Sequence, residues 1–276
     1  MDFFSHWNLS ERPFEATWDT RFFFGSQAHL EALNRLVYFV AERTMNVCLL
    51  SGDIGCGKTL TRAVFTQHLA SQFVVVTLEN SGFSFEELVE TVLRKLDPAS
   101  SLQGIGKMAK CELLAGLLDQ IHASGKHLVL LLDEAQDMSA QTLHELRLLT
   151  NYNHSGRALL SLVLIGQPEL RPRVAADAAL DQRISLRYHL RPLTPDELTA
   201  YLAHRLRVAG HETGAVFAPE ASKLVHAMSR GVPREVNRLA KLALEQSWLR
   251  DAHIVDARCV DAVMRDMAKH QTLVAA

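Results

Sequence analysis

The feature of this sequence that most constrains its fold is a glycine-rich segment that ends in Lys-Thr. The segment matches G-x-x-x-x-G-K-[ST] at every fixed position, and it lies between the apolar run Val47–Ser51 and a segment of helical period. Glycines let the backbone approach an anion closely, and the helix that follows directs its positive end to the same place. The sequence therefore predicts a phosphate-binding loop with these candidate nucleotide-binding residues: Gly52, Asp53, Ile54, Gly55, Cys56, Gly57, Lys58, Thr59 and Leu60.

Two residues at the end of this segment carry the chemistry that it predicts. The Lys58 ammonium would reach the β- and γ-phosphates of a nucleoside triphosphate, and the Thr59 hydroxyl would ligate Mg²⁺. A glycine-rich turn with a surface lysine is the alternative, but such a turn does not require the Lys-Thr pair. The segment therefore favours a nucleotide site.

A second candidate site lies where the apolar run Leu128–Leu132 ends in two acids. Asp133 would hold Mg²⁺ at the carboxyl edge of a sheet, and Glu134 would polarise the water that attacks the γ-phosphate. The alternative is that Asp133 only caps the next helix. Two successive acids favour an ATPase over a nucleoside kinase. Because no Asn-Lys-x-Asp sequence is present to read guanine, ATP is the expected nucleotide.

Short apolar runs alternate with segments of helical period, which is typical of a parallel sheet covered by helices on both faces. After Pro192 only helical segments follow. The pattern predicts a P-loop α/β core over residues 46–193 and a small all-helical domain over 194–276. The predicted strands are Val47–Ser51, Phe73–Leu78, Leu128–Leu132, Leu159–Ile165 and, less clearly, Ile184–Leu190.

Composition excludes several other classes of protein. With 276 residues, 48% hydrophobic and 22% charged, the chain is neither disordered nor collagen-like, and a net charge of −2 does not support a strongly basic nucleic-acid binder. The four cysteines lack zinc-ligand spacing, the start lacks a secretory signal, and no apolar run reaches the length of a membrane span. We expect a cytoplasmic protein without a transmembrane segment.

Further segments resemble a known family. In chain order with the two sites above, Ile165–Leu170, Gln182–Arg187 and Gly231–Arg238 resemble AAA+ ATPases of the general secretion pathway protein A (ExeA) type, which are related to the TnsC- and IstB-like ATPases of transposition. The start is similar too, because residues 9–14, 22–24 and 29–33 look like the N-terminal box of that type. Residues 1–45 would then be the N-terminal box and first helix of the core, and residues 194–276 a helical lid.

The resemblance implies a homo-oligomer, a ring or filament, whose nucleotide lies between the core and the lid. Gln167 would be the sensor-one residue that helps hold the attacking water, and Arg234 the sensor-two arginine that contacts the γ-phosphate. Arg183 would be the arginine finger that reaches a neighbour's ATP, with Arg187 as second candidate. Both share a basic stretch, so a solvated face is the alternative for Arg183.

Two functions remain open. The first is an ATP-driven switch for a secretion system, pilus or other envelope assembly, acting from the cytoplasm through a protein partner. The second is a regulator that polymerises on duplex DNA and recruits a transposase, which requires a cation cluster for phosphate contacts. The net charge of −2 leans slightly toward the first. Candidate DNA-binding cations are Arg94, Lys95, Lys107 and Lys110, although Glu86, Glu87, Glu90 and Glu112 dilute their charge.

The sequence leaves open the role of two residues near the start of the chain. If the N-terminal box folds back as the resemblance implies, Pro13 and Phe14 would lie near the adenine. Simple core packing of these residues is equally compatible with the sequence.

Overall fold

Five parallel strands form one sheet in the computed structural model, which describes residues 2–69, 71–79 and 82–274. The strand order across the sheet is β2-β3-β4-β1-β5, and β1, β3 and β4 are buried along their whole length. Buried parallel strands need apolar residues on both faces, which explains the continuous apolar runs. The strands are β1 (Val47–Gly52), β2 (Phe73–Leu78), β3 (His127–Leu132), β4 (Leu160–Gly166) and β5 (Ile184–Leu190).

All five predicted strands are confirmed, with ends that differ by one residue or less. The register pairs Leu50 of β1 with Ile165 of β4, and Leu131 of β3 with Val163 of β4. A short antiparallel pair, Asn153–His154 with Arg157–Ala158, lies outside this sheet and was not predicted.

Several helices begin where the sequence has capping residues or prolines. Ser84 and Glu87 form a capping box at the start of α4, and Thr194 and Glu197 form one at the start of α9. Prolines occupy the first helical position of α9, α10 and α11, where the missing N–H costs nothing. The helices are α1 (Phe3–Trp7), α2 (Gln27–Glu42), α3 (Lys58–His68), α4 (Phe85–Leu96), α5 (Lys107–Ala123), α6 (Ala140–Leu146), α7 (Leu170–Ala175), α8 (Ala178–Asp181), α9 (Pro195–Val208), α10 (Pro219–Ser229), α11 (Pro233–Leu249) and α12 (Ala257–Val274).

The chain forms two compact units. The first comprises Met1–His29, Ile54–Leu60 and Arg191–Ala276, and the second comprises Leu30–Asp53 and Thr61–Leu190. In the first unit, Trp7, Phe14 and Phe22 share one apolar core with helices α9 to α12. In the second unit, the sheet shares its core with α4, α5 and α6. The domain division predicted from the sequence, with boundaries after residues 45 and 193, stays a prediction.

No helix among the described residues is long and apolar enough to span a bilayer.

One buried histidine links the stability of the second unit to pH. His127 begins β3 and shares a hydrogen bond of 2.9 Å with Ser161 Oγ. Burial is the largest cause that lowers the pKa of His127 to about 4, and the charges of Arg43 and His122 act in the same direction. An unfolded histidine has a pKa of about 6.5, so below that pH the unfolded chain takes up a proton that the folded chain does not.

We therefore expect the free energy of unfolding to fall as the pH is lowered from about 6.5 to 4, with at most about 3 kcal/mol coming from His127. The substitution His127→Gln should flatten this slope, whereas His253→Gln, at an exposed position, should retain it. Urea unfolding at a series of pH values measures the effect. Equal slopes for the wild type and His127→Gln would contradict the assignment.

Candidate functional site

The phosphate-binding loop requires glycine at two positions. Gly55 has φ +85° and Gly57 has φ +93°, in the left-handed region that other residues rarely adopt. A Cβ atom at Gly55 would lie 2.6 Å from Arg234 Cβ, and one at Gly57 would lie 2.9 Å from His29 Nε2. Conformation and close packing thus require glycine at both positions of the loop between β1 and α3.

His29 holds the loop from the N-terminal side. Its Nε2 lies 3.0 Å from the carbonyl oxygen of Cys56, and its Nδ1 lies 2.6 Å from Ser26 Oγ. A carbonyl oxygen only accepts, so Nε2 carries the proton and Ser26 donates to Nδ1. Burial is the main cause that lowers the pKa of His29 and keeps the ring neutral. The sequence did not predict this contact, because the two residues are distant along the chain.

The two acids lie at one edge of the sheet. Gly52 is the last residue of β1, and Asp133 is the first residue after β3. Both strands are parallel to β4, which lies between them, so their carboxyl ends share an edge. Asp133 Oδ2 lies 3.2 Å from Arg62 Nε, and Arg62 Nη2 donates to Glu79 Oε1 at 3.0 Å. Arg62 is one turn after Lys58 in α3, so the acid is paired with the helix that the loop lysine begins.

A chain of hydrogen bonds connects Glu134 with the end of β4. Glu134 has φ +51°, and its carboxylate accepts a hydrogen bond of 2.8 Å from Gln136 Nε2. The amide oxygen of Gln136 in turn accepts from the Gln167 N–H at 3.0 Å. The structure thus brings the predicted base and the predicted sensor-one residue together through Gln136, which the sequence did not single out.

Comparisons with known proteins agree with this geometry. Residues 41–174 match a family model described as an AAA domain. General secretion pathway protein A of Aeromonas hydrophila is 34% identical over 251 residues, which cover 89% of this chain and 45% of that protein. The chain belongs to the AAA+ ATPases. Within them it is of the general secretion pathway protein A type, and it spans under half the length of that relative.

Solved structures show that the AAA+ fold extends beyond the matched segment. The ORC2 protein of Aeropyrum pernix, solved as ADPNP–ADP complexes, has a TM-score of 0.65 at 16% identity, covering 91% of this chain and 70% of its own. Drosophila ORC bound to DNA has a TM-score of 0.63 at 18% identity, covering 88% and 60%. At such identities the likeness concerns the fold alone, and it confirms the predicted P-loop sheet flanked by helices.

Arg234 lies beside the loop of this AAA+ ATPase. It is the second residue of α11, and its backbone N–H donates to the carbonyl oxygen of Gly55 at 3.2 Å. Its side chain is exposed. The structure thus brings the predicted sensor-two arginine to the loop, while its contact with a phosphate stays a prediction.

An aromatic pocket of the first unit adjoins the loop. Tyr201 forms part of its wall and donates a hydrogen bond of 2.8 Å to Asn237 Oδ1. The sequence did not predict this pocket, because its residues come from three separate segments. It is lined by Phe22, Phe23, Phe24, His29, Gly57, Leu60, Leu193, Tyr201 and Pro233.

Phe14 is packed in the apolar core, as in the second of the two possibilities left open by the sequence. Its side chain is 4% exposed and its ring lies edge-on to Phe217 in the core of the first unit. The carbonyl oxygen of Pro13 accepts from Arg205 Nε at 2.6 Å. These contacts account for both residues as parts of the core.

The two candidate arginine fingers make contacts within the second unit. Arg183 is half-buried and donates to Thr150 Oγ1, whereas Arg187 is exposed and pairs with Asp181 Oδ1 at 2.8 Å. Neither contact involves another subunit, so the role of either residue as a finger stays a prediction.

The His29 contact gives a testable prediction. Because His29→Ala removes the donor to the Cys56 carbonyl, we expect about a tenfold loss of ATP affinity, whereas His29→Gln, which keeps an N–H donor, should lose less. Titration with a fluorescent ATP analogue measures this. His68→Ala is a matched control, since His68 Nδ1 also lies within hydrogen-bond distance of a main-chain carbonyl, that of Val64. An unchanged affinity for His29→Ala would refute the role.

Proposed function

We propose that this chain binds ATP together with Mg²⁺ and hydrolyses it. The observation that carries the proposal is the loop itself, in which the Cβ positions of Gly55 and Gly57 are blocked by Arg234 and His29. A glycine-dependent loop that leads into the N-terminus of a helix, here α3, is typical of sites where main-chain N–H groups bind phosphate oxygens. The ORC2 protein of Aeropyrum pernix, which has a similar fold, was solved as ADPNP–ADP complexes, and this supports an adenine nucleotide as the ligand.

The residues at the two sites fit the substrate and its metal. Lys58 would bind the β- and γ-phosphates, and Thr59 and Asp133 would hold Mg²⁺, since hydroxyl and carboxylate oxygens are the ligands that this ion prefers. When bound, Mg²⁺ neutralises charge on the phosphate oxygens. Glu134 accepts a proton from the water that attacks the γ-phosphorus, and Gln167 helps to orient this water. The bond between the γ-phosphorus and the bridging oxygen breaks, and ADP leaves.

The aromatic pocket supports a place for the base. Phe23 and Phe24 are half-buried and offer flat apolar surface next to Gly57, and adenine is a flat ring of low charge. We place the adenine in this pocket, which Gly57 lines, rather than against Pro13 and Phe14, which do not line it.

We further propose that the protein acts as a homo-oligomeric switch, a ring or filament, for a secretion, pilus or other envelope assembly on the cytoplasmic side. Its similarity to general secretion pathway protein A supports a protein partner of this kind. Arg234 would contact the γ-phosphate in cis, and Arg183, or second Arg187, would reach the neighbour's ATP.

The alternative, a transposition regulator on duplex DNA, has less support. Lys110, a candidate DNA-binding cation, is buried and pairs with Glu86 and Glu90 at 2.8 Å each. Arg94 also pairs with Glu90, and Lys107 pairs with Glu145. Cations already neutralised within the chain contribute little to phosphate binding.

The hydrolytic assignment predicts different defects for two variants. Lys58→Ala should abolish ATP binding, because the loop loses its positive charge at the phosphates. Glu134→Gln should bind ATP, accumulate as oligomer, and hydrolyse at less than about a hundredth of the wild-type rate, because an amide cannot accept the proton. Phosphate release, nucleotide binding and gel filtration measure these properties. Wild-type turnover by Glu134→Gln would refute the assignment.

The trans role of Arg183 predicts rescue in mixed oligomers. Arg183→Ala subunits keep their own Glu134, and Glu134→Gln subunits keep Arg183, so a mixture contains sites with both groups intact. We expect each variant alone to be nearly inactive and the mixture to recover part of the wild-type rate. Absence of rescue in mixed oligomers verified by native mass spectrometry would exclude a trans finger at this position.

A further inference from the structure

Gln136 occupies a position between two groups that the proposed hydrolysis uses. Its Nε2 donates to Glu134 Oε2 at 2.8 Å, and its Oε1 accepts from the Gln167 N–H at 3.0 Å. The orientation of the amide follows from these partners, because the main-chain N–H can only donate and the ionised carboxylate can only accept. Both halves of the Gln136 amide are therefore committed.

The surroundings of Gln136 leave it little freedom. A Cβ atom at Gly166 would lie 2.8 Å from Gln136 Oε1, so the end of β4 packs directly against the amide. Arg173 in α7 donates to the carbonyl oxygens of Gln136 and Met138, which fixes the main chain on which the amide stands. The side chain thus starts from a held backbone and ends at two specific partners.

Glu134 depends on such support. With φ +51° it is a non-glycine residue in the left-handed region, a conformation that is strained and persists only where neighbours stabilise it. Its backbone N–H donates to Asp133 Oδ1 at 3.0 Å, and its carboxylate receives the Gln136 hydrogen bond. One carboxylate oxygen is therefore engaged, and the other can accept from a water.

We propose that Gln136 is a positioning residue for hydrolysis, which orients the Glu134 carboxylate and sets its place relative to Gln167. The proposal rests on the proposed function, because it assigns Gln136 a task only if Glu134 is the base. Gln136 acts through Glu134.

Two consequences separate this task from a merely structural one. Loss of the amide should lower kcat and leave the KM for ATP nearly unchanged, because the phosphate-binding residues are not involved. In addition, the effect should pass through Glu134, so Gln136→Met should add little to the defect of Glu134→Gln when the two substitutions are combined.

The test compares Gln136→Met and Gln136→Glu with the wild type in steady-state ATP hydrolysis. Glutamate keeps the oxygen that accepts from the Gln167 N–H, so Gln136→Glu loses only the N–H donor to Glu134. This variant keeps the test possible if Gln136→Met does not fold. It also places a like charge next to Glu134. We expect kcat at neutral pH to fall about tenfold or more in either variant and KM to change less than about threefold. Gln136→Met combined with Glu134→Gln should have nearly the rate of Glu134→Gln alone.

Gln141→Met is the matched control. Gln141 in α6 also donates its amide to a carboxylate, that of Glu145, away from the acids at the sheet edge. This variant should keep the wild-type kcat and KM. A loss in Gln136→Met that adds in full to that of Glu134→Gln, or a loss expressed mainly in KM, would overturn the proposal. Absence of turnover in the wild type would instead refute the proposed function, so the two failures are distinguishable.

Discussion

The glycine-dependent loop between β1 and α3 is the constraint on which the other features depend. Gly55 and Gly57 adopt backbone conformations that only glycine takes easily, and neighbouring side chains already fill the space where a Cβ would lie. His29 and Arg234 belong to distant parts of the chain, yet both are held against this loop. The first unit therefore combines the N-terminal segment and the last four helices around a phosphate-binding turn.

The parallel sheet brings the polar residues of the site to one edge. Because all strands point the same way, β1, β3 and β4 end at one edge, and their last residues lead into the loop, the two acids and Gln167. Burial of these strands makes the edge rigid, and short turns then place polar groups there. Arg62 and Gln136 complete this edge, the first by pairing with Asp133 and the second by joining Glu134 to Gln167.

Local signals made most of the fold predictable from the sequence. The strands β1, β3 and β4 are buried apolar runs, and the starts of α4 and α9 have capping boxes whose partners are three residues apart, so nearby residues determine these elements. The hydrogen bond from His29 to Cys56 and the pocket of Phe22 and Tyr201 join residues far apart in sequence. No periodicity records such contacts, and Gln136 was hidden for a related reason: its partner Gln167 follows a different strand.

The central claim is that the loop binds the triphosphate of ATP with Mg²⁺. Isothermal titration of the purified chain with ATP, in the presence and absence of magnesium, tests it most directly. We expect one ATP-binding site per chain and an affinity for ATP that falls at least about tenfold when the metal is removed, because the phosphate charge is then less well neutralised. A folded chain that binds no adenine nucleotide with magnesium present would contradict the account.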